Sequence, residues 1–302
     1  PGPMVNPHEF YTFNDDLWAS VAGTRPPLFY FFEGFMDAGN VGANLTSVLL
    51  EHCSPQILAS FDVDLTHDFR ARRPKMVFDT DSWKSVDEIA LTLHMLRDAG
   101  DTPFLVLSGP EPDMAWNGLR RCLIELFARL EVPLAFTAHG VPMAVPHTRP
   151  VPLTTHATDI GLRGENPRWV DRLTIPASFA AYLEFGLGQA GRRAMGIAAH
   201  VPHYLAQGNF VRAAQLIAER MAEATGLSLP VEHLRQEADA NLAAIDAELH
   251  GNPEAAELIA TLERQYDEFA AAADAQLPSA EELGAAVEAF LAEQESEDPN
   301  WN

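Results

Sequence analysis

The chain has 302 residues, 47% hydrophobic and 21% charged, with a formal net charge of −23. Those values describe a globular protein with a full core rather than a disordered chain, long enough for one large domain or a domain with an appendage. The acidic balance makes nucleic acid and anionic membrane poor partners, and no apolar run reaches the roughly 18 residues a membrane span needs. Pro1-Gly2-Pro3 reads as a tag remnant before a natural start at Met4, with no secretion signal ahead of the fold. Residues 4 to 27 read as a lead-in that packs late if at all.

Leu28-Phe29-Tyr30-Phe31-Phe32 is too short for a core helix and rich in aromatics, which predicts a strand buried on both faces of a parallel sheet. Gly34 and Gly39 bracket Glu33, Met36 and Asp37, and the helical spacing of Val41, Leu45, Val48 and Leu49 comes next, so the segment opens a βαβ unit. A second extended segment centres on Ile57–Phe61. Then comes the densest basic cluster of an acidic protein, Arg70, Arg72, Arg73 and Lys75, which reads either as a solvated loop or as a docking point for a carboxylate, a phosphate or an acidic partner segment. Met76-Val77-Phe78 is a short strand. Ile89–Leu96 fits both helix and strand periods, and the Asp98–Asp101 turn before the apolar Pro103–Leu107 favours a hairpin.

Met114–Leu130 carries Trp116, Leu119, Leu123, Leu126 and Phe127 at helical spacing. Pro133–Ala138 is another buried strand, and the proline-rich segment 142–150 is expected to be an ordered loop, because proline cannot donate to a ladder. Strands are expected at Leu153–His156, Arg172–Ile175 and Ala194–Ala199, with helices from Ser178 to about Gln189 and from Phe210 to Thr225. The alternation predicts a layered α/β core with a mixed, mostly parallel sheet over residues 4–229. Beyond Pro230 the composition turns to Ala, Glu, Leu and Asp. From Val231 onward 18 acids face two arginines, a balance of −16 that leaves −7 for residues 1–230. This marks an acidic helical extension, 230–294, with helices near 231–249, 253–273 and 279–293, then a flexible acidic tail, 295–302.

The candidate site residues lie at predicted strand ends. Glu33 and Asp37 flank the first turn; Asp37 reads as the cap of the helix after it, and Glu33 calls for a cation such as Arg149. Glu111 and Asp113 precede the Met114 helix, with Asp113 placed as its cap and Glu111 as a brace or interface residue. His147 and Arg149 sit in the proline-stiffened loop, pre-positioned for anion or carboxylate recognition or for an internal pair with Glu33 or Glu111. His139, His156 with Asp159, and His200 with His203 match no closed metal site, so neither a metal nor a cofactor is expected. No nucleotide-binding glycine loop, nucleophile elbow or zinc-protease motif is present in the sequence. Cys53 and Cys122 sit in apolar helical patterns as buried thiols, in keeping with a reducing cytoplasm.

Three segments, Glu33-Gly34-Phe35-Met36-Asp37-Ala38-Gly39, Gly109-Pro110-Glu111-Pro112-Asp113 with Trp116, and Val141 to Pro150, resemble in order and spacing the proteasome assembly chaperone 2-like family in its actinobacterial branch. The resemblance covers roughly residues 25 to 225 and implies an α/β core, self-association and a role in binding or assembling other proteins. It does not supply the number of copies, and a trimer is the working expectation. Proteasome-binding members of the wider family end in a hydrophobic residue, a tyrosine and one more. This chain ends Asn300-Trp301-Asn302, so docking into a proteasome ring is not expected. Two readings stay open: a non-enzymatic assembly or scaffold factor, and a phosphorylase- or hydrolase-like enzyme for a small anionic substrate with Glu33, Asp37 and His147 as its catalytic candidates.

Overall fold

In the computed structural model, which describes residues 10–164, 166 and 172–275, the elements run in chain order as β1 (Tyr11–Phe13), α1 (Asp15–Ala19), β2 (Leu28–Glu33), α2 (Val41–His52), β3 (Gln56–Phe61), β4 (Met76–Asp79), β5 (Ser82–Val86), β6 (Thr92–Arg97), β7 (Pro103–Pro110), α3 (Trp116–Arg129), β8 (Ala135–Met143), β9 (Leu153–Ala157), α4 (Phe179–Gln189), β10 (Ala194–Pro202), α5 (Val211–Thr225), α6 (Val231–Leu249) and α7 (Pro253–Ala275). One sheet carries eight strands in the order β1-β3-β6-β7-β2-β8-β10-β9. Its centre, β7, β2, β8 and β10, is parallel, and antiparallel pairings flank it on both sides.

The alternation along β2 divides the core. Phe29 and Phe31 face α2, α5 and α6, packing with Leu45, Leu49, Ile217 and Leu234. Leu28, Tyr30 and Phe32 face α3 and α4, packing with Leu123, Phe127, Phe179 and Leu183. Two neighbours in the sheet and a helical layer on each side explain why five consecutive apolar side chains are all buried. Their burial contributes on the order of 10 kcal/mol, an upper figure set by the unfolded reference.

Several expectations need correction. From Phe10 onward the lead-in is part of the fold: Tyr11 to Phe13 pair with Ala59 to Phe61, and Phe10, Tyr11 and Val21 are buried. The proline-rich segment does not begin as a loop. β8 runs on through Pro142 and Met143, paired with Val201 and Pro202 of β10, while its β2 pairing stops at Thr137. A strand paired on one flank tolerates a missing amide. Residues 172–175, expected as a strand, are irregular and exposed. The strand at 76–79 acquires an unforeseen partner, β5, across a turn with Thr80 at φ 59°. The 92–97 and 103–110 strands form the antiparallel hairpin.

The chain divides into two compact units, the first ending at Gly251. Helix α6 therefore belongs with the core, burying Leu234, Ala238 and Ile245, although its composition announces an extension at 230. The second unit begins at Asn252, whose side chain accepts the amides of Glu254 and Ala255 to cap α7. The third expected helix, 279–293, and the tail, 295–302, lie outside the described residues. Among the described residues no helix is long and apolar enough to cross a membrane.

Candidate functional site

Parallel β2 and β8 finish at the same edge of the sheet, and a single carboxylate ties the turn beyond β2 to the backbone of β8. Asp37 accepts the amides of Gly42 (2.9 Å) and Ala43 (3.0 Å), the first turn of α2, and of Gly140 in β8 (3.0 Å). Backbone meets backbone so closely here that a Cβ on Gly140 would stand 1.9 Å from the Ala38 carbonyl oxygen. Burial raises the Asp37 pKa, against the three amides that lower it. Asp37 is therefore a structural clamp with its oxygens turned into the chain. Glu33, at the end of β2, is exposed, and among the described residues it forms no ion pair with Arg149.

The second motif is organised by a residue from the basic cluster. The Arg72 guanidinium grips Asp113 with two hydrogen bonds, 3.0 Å from Nε and 2.8 Å from Nη2, and donates a third to the Glu111 carbonyl (2.8 Å). Asp113 also accepts the Asp68 amide at 2.7 Å. Hydrogen bonds from Arg72 hold the Asp113 carboxyl below its ordinary pKa. Asp113 does not cap α3: the residue at that cap is Ala115, in the left-handed region at φ 58°. Glu111 instead accepts the Phe179 amide (2.7 Å), capping α4 from a distant strand end. Arg70 and Arg73 are exposed and unpaired among the described residues. Arg73 and Lys75 line an open cleft of about 650 Å³ between α2, β6 and the base of the β4–β5 hairpin, which also takes in Glu33, Asp87 and His94.

In the proline-rich loop the His147 side chain is only 4% exposed, and both ring nitrogens are engaged. Nδ1 lies 2.7 Å from the Tyr204 hydroxyl, which also accepts the His147 amide at 2.9 Å, and Nε2 lies 2.9 Å from Asp246 on α6. The histidine latches the loop to α6. Arg149, two residues on, is half-buried. Of the other histidines, His156 pairs with Glu184 rather than Asp159, and His200 bonds Thr154 rather than meeting His203 in a ligand set. Among the described residues no group of three His, Cys, Asp or Glu side chains could hold a metal.

The sequence matches the PAC2 family over residues 31–249. The chain belongs to that family. As a PAC2 protein it is 34% identical to a Mycobacterium tuberculosis protein of unknown function, Rv2714, with a TM-score of 0.83 over 91% of this chain and 95% of that one. It is 29% identical to a Corynebacterium glutamicum protein of unknown function, with a TM-score of 0.79 over 86% of this chain and 97% of the other. The Mycobacterium tuberculosis proteasome-assembly chaperone homologue Rv2125, at 22% identity, shares the fold, with a TM-score of 0.69 over 77% and 99% of the two chains. No curated protein matches the sequence.

Two features of this PAC2 protein have no signature in the sequence. Tyr204 and Asp246, 57 and 99 positions from His147, carry no local signal. The β5 strand, Ser82-Trp83-Lys84-Ser85-Val86, lacks the apolar alternation of a half-buried strand because neither of its faces is buried.

Proposed function

We propose that this PAC2 protein is a non-enzymatic assembly or scaffold factor that acts as a cytoplasmic homo-oligomer and contacts other proteins through the rim around its β4–β5 hairpin. The observation that carries the reading is the hairpin itself. All four residues of β4 are exposed, and Phe78 (55%) and Trp83 (63%) stack edge to face in solvent, 5.1 Å apart, beside Met76, Val77 and Val86. A free two-stranded ribbon is marginal in water, and contiguous exposed apolar side chains mark surfaces that other molecules cover. Leu65 and Phe69, in the loop that Arg72 pins, are exposed as well, and so are Arg70, Arg73 and Lys75 between that loop and β4. The resemblance of fold to a proteasome-assembly chaperone homologue supports the same class of role. The competing reading, an enzyme with Glu33, Asp37 and His147 as its catalytic groups, is disfavoured because Asp37 and His147 spend their polar atoms on the chain's own backbone and side chains.

The test pairs light scattering behind size exclusion with affinity capture from the native host, for the natural chain and for Phe78→Asp/Trp83→Asp. The reading expects the natural chain to form an oligomer with a stoichiometric protein partner, and the variant to lose one or both while keeping its circular dichroism. A monomeric natural chain that captures nothing and turns over a metabolite refutes it.

A further inference from the structure

On the sheet face covered by α3 and α4, five polar side chains that the latch and the clamp do not use come together. Tyr30 of β2 stands in register with Thr137 of β8. Thr137 and the His156 ring both close over Gly196 of β10, where an added Cβ would lie 2.8 Å from the Thr137 methyl and 2.3 Å from His156 Cε1. The His156 ring therefore lies against bare backbone, a placement only glycine permits. Its Nδ1 is 2.9 and 2.8 Å from the two oxygens of Glu184, a buried residue of α4, and the His139 ring centre is 6.3 Å from its own.

Two of these groups have polar atoms with no internal use. The Tyr30 hydroxyl is fully buried and has no hydrogen-bond partner. A buried hydroxyl left unpaired disfavours folding, and phenylalanine would fill the same space without that cost. His139, half-buried in the middle of β8, makes no hydrogen bond among the described residues.

The chemistry selects the ligand. Burial lowers His139 to about 4 and keeps the Tyr30 phenol protonated, so at neutral pH both are uncharged. Among the described residues no lysine or arginine pairs with Tyr30, His139, His156 or Glu184. An anion would enter beside the Glu184 carboxylate with no fixed cation to receive it. What the cluster offers is a hydroxyl donor, two imidazoles and a carboxylate, a set that matches ligand hydroxyls. We propose that Tyr30, His139 and the His156–Glu184 pair form a binding site for a small, uncharged, hydroxyl-bearing molecule of sugar-like chemistry. This site is independent of the oligomer reading.

The experiment tracks the histidine side-chain nitrogens of the full chain by NMR, with His139 and His156 assigned through His139→Gln and His156→Gln. D-ribose is the uncharged probe and inorganic phosphate the anionic one. Ribose is expected to shift both residues saturably and phosphate to leave them in place. Tyr30→Phe should weaken ribose binding about tenfold, the worth of one hydrogen bond, while melting at or above the temperature of the natural chain. The proposal is overturned if ribose produces no saturable shift, if phosphate shifts these signals instead, or if Tyr30→Phe lowers the melting temperature and leaves ribose binding unchanged.

Discussion

Replacing Arg72 by alanine tests the node that joins the basic loop to the second motif. The substitution removes a bidentate contact to Asp113 and one bond to the Glu111 carbonyl, in a setting where the two side chains are 29% and 23% exposed. Charge-assisted bonds contribute about 1.5–3 kcal/mol when buried and exposed pairs about 0–1 kcal/mol. This exposure sets the coupling between Arg72 and Asp113 at about 1.5 kcal/mol, and the loss for Arg72→Ala, which also unpairs a carbonyl, at about 2–3 kcal/mol. For a chain of this size that lowers the melting temperature by about 4–12 °C. The assay is a double-mutant cycle of Arg72→Ala and Asp113→Ala in thermal unfolding, run at neutral and acid pH. Because the folded Asp113 carboxyl is depressed below 3.8, its contribution is complete above the unfolded value. It is lost as pH falls through the folded one, so the coupling present at pH 7 should vanish well below 3.8. A coupling under about 0.5 kcal/mol at pH 7, or one that persists in acid, refutes the reasoning.

Gly140→Ala forces a Cβ to 1.9 Å from the Ala38 carbonyl and should cost on the order of 3 kcal/mol, measured by urea unfolding. Asp246→Ala opens the His147 latch; amide exchange in residues 144–149 should quicken about tenfold, while strand β2 keeps its protection. Burial pushes Cys53 to about 11 and Cys122 to about 12, so at pH 8 an aromatic disulfide reagent should label neither thiol faster than the chain unfolds.

How much of the fold is legible in the sequence depends on how local each cause is. Leu28–Phe32 announces a buried parallel strand because five apolar residues in a row admit few alternatives, and the Asp98–Asp101 turn resolves an ambiguous run into a hairpin. Tyr11 to Phe13 goes unseen because a three-residue edge strand has too short a pattern to register, though Phe10 and Tyr11 are buried in the core. The composition change at Pro230 is real, yet it marks solvent-facing acids rather than a structural boundary, since α6 buries a stripe of Leu234, Ala238 and Ile245 against the core. In the site, Asp37 reads locally as the cap of a helix starting at Ala38, but the helical amides it accepts lie five and six positions on, in α2, past the short turn at Ala38–Asn40. Asp113 is indistinguishable from a cap, because the arginine that claims it is 41 positions upstream. Glu111 caps a helix 68 positions downstream, a pairing only the folded sheet creates.

The Asp37 clamp also determines where this molecule can yield. By tying the turn after β2, the start of α2 and the middle of β8 to one carboxylate, it makes the central carboxyl edge a stiff block whose parts cannot shift separately. Any adjustment to an incoming partner falls instead to the long excursion from Asp62 to Ala90, anchored mainly at Arg72 and His67 and tipped by the hairpin. A complex formed at that rim would thus mould one surface and leave the other as it was, and the heat-capacity change of association would report ordering confined to the excursion.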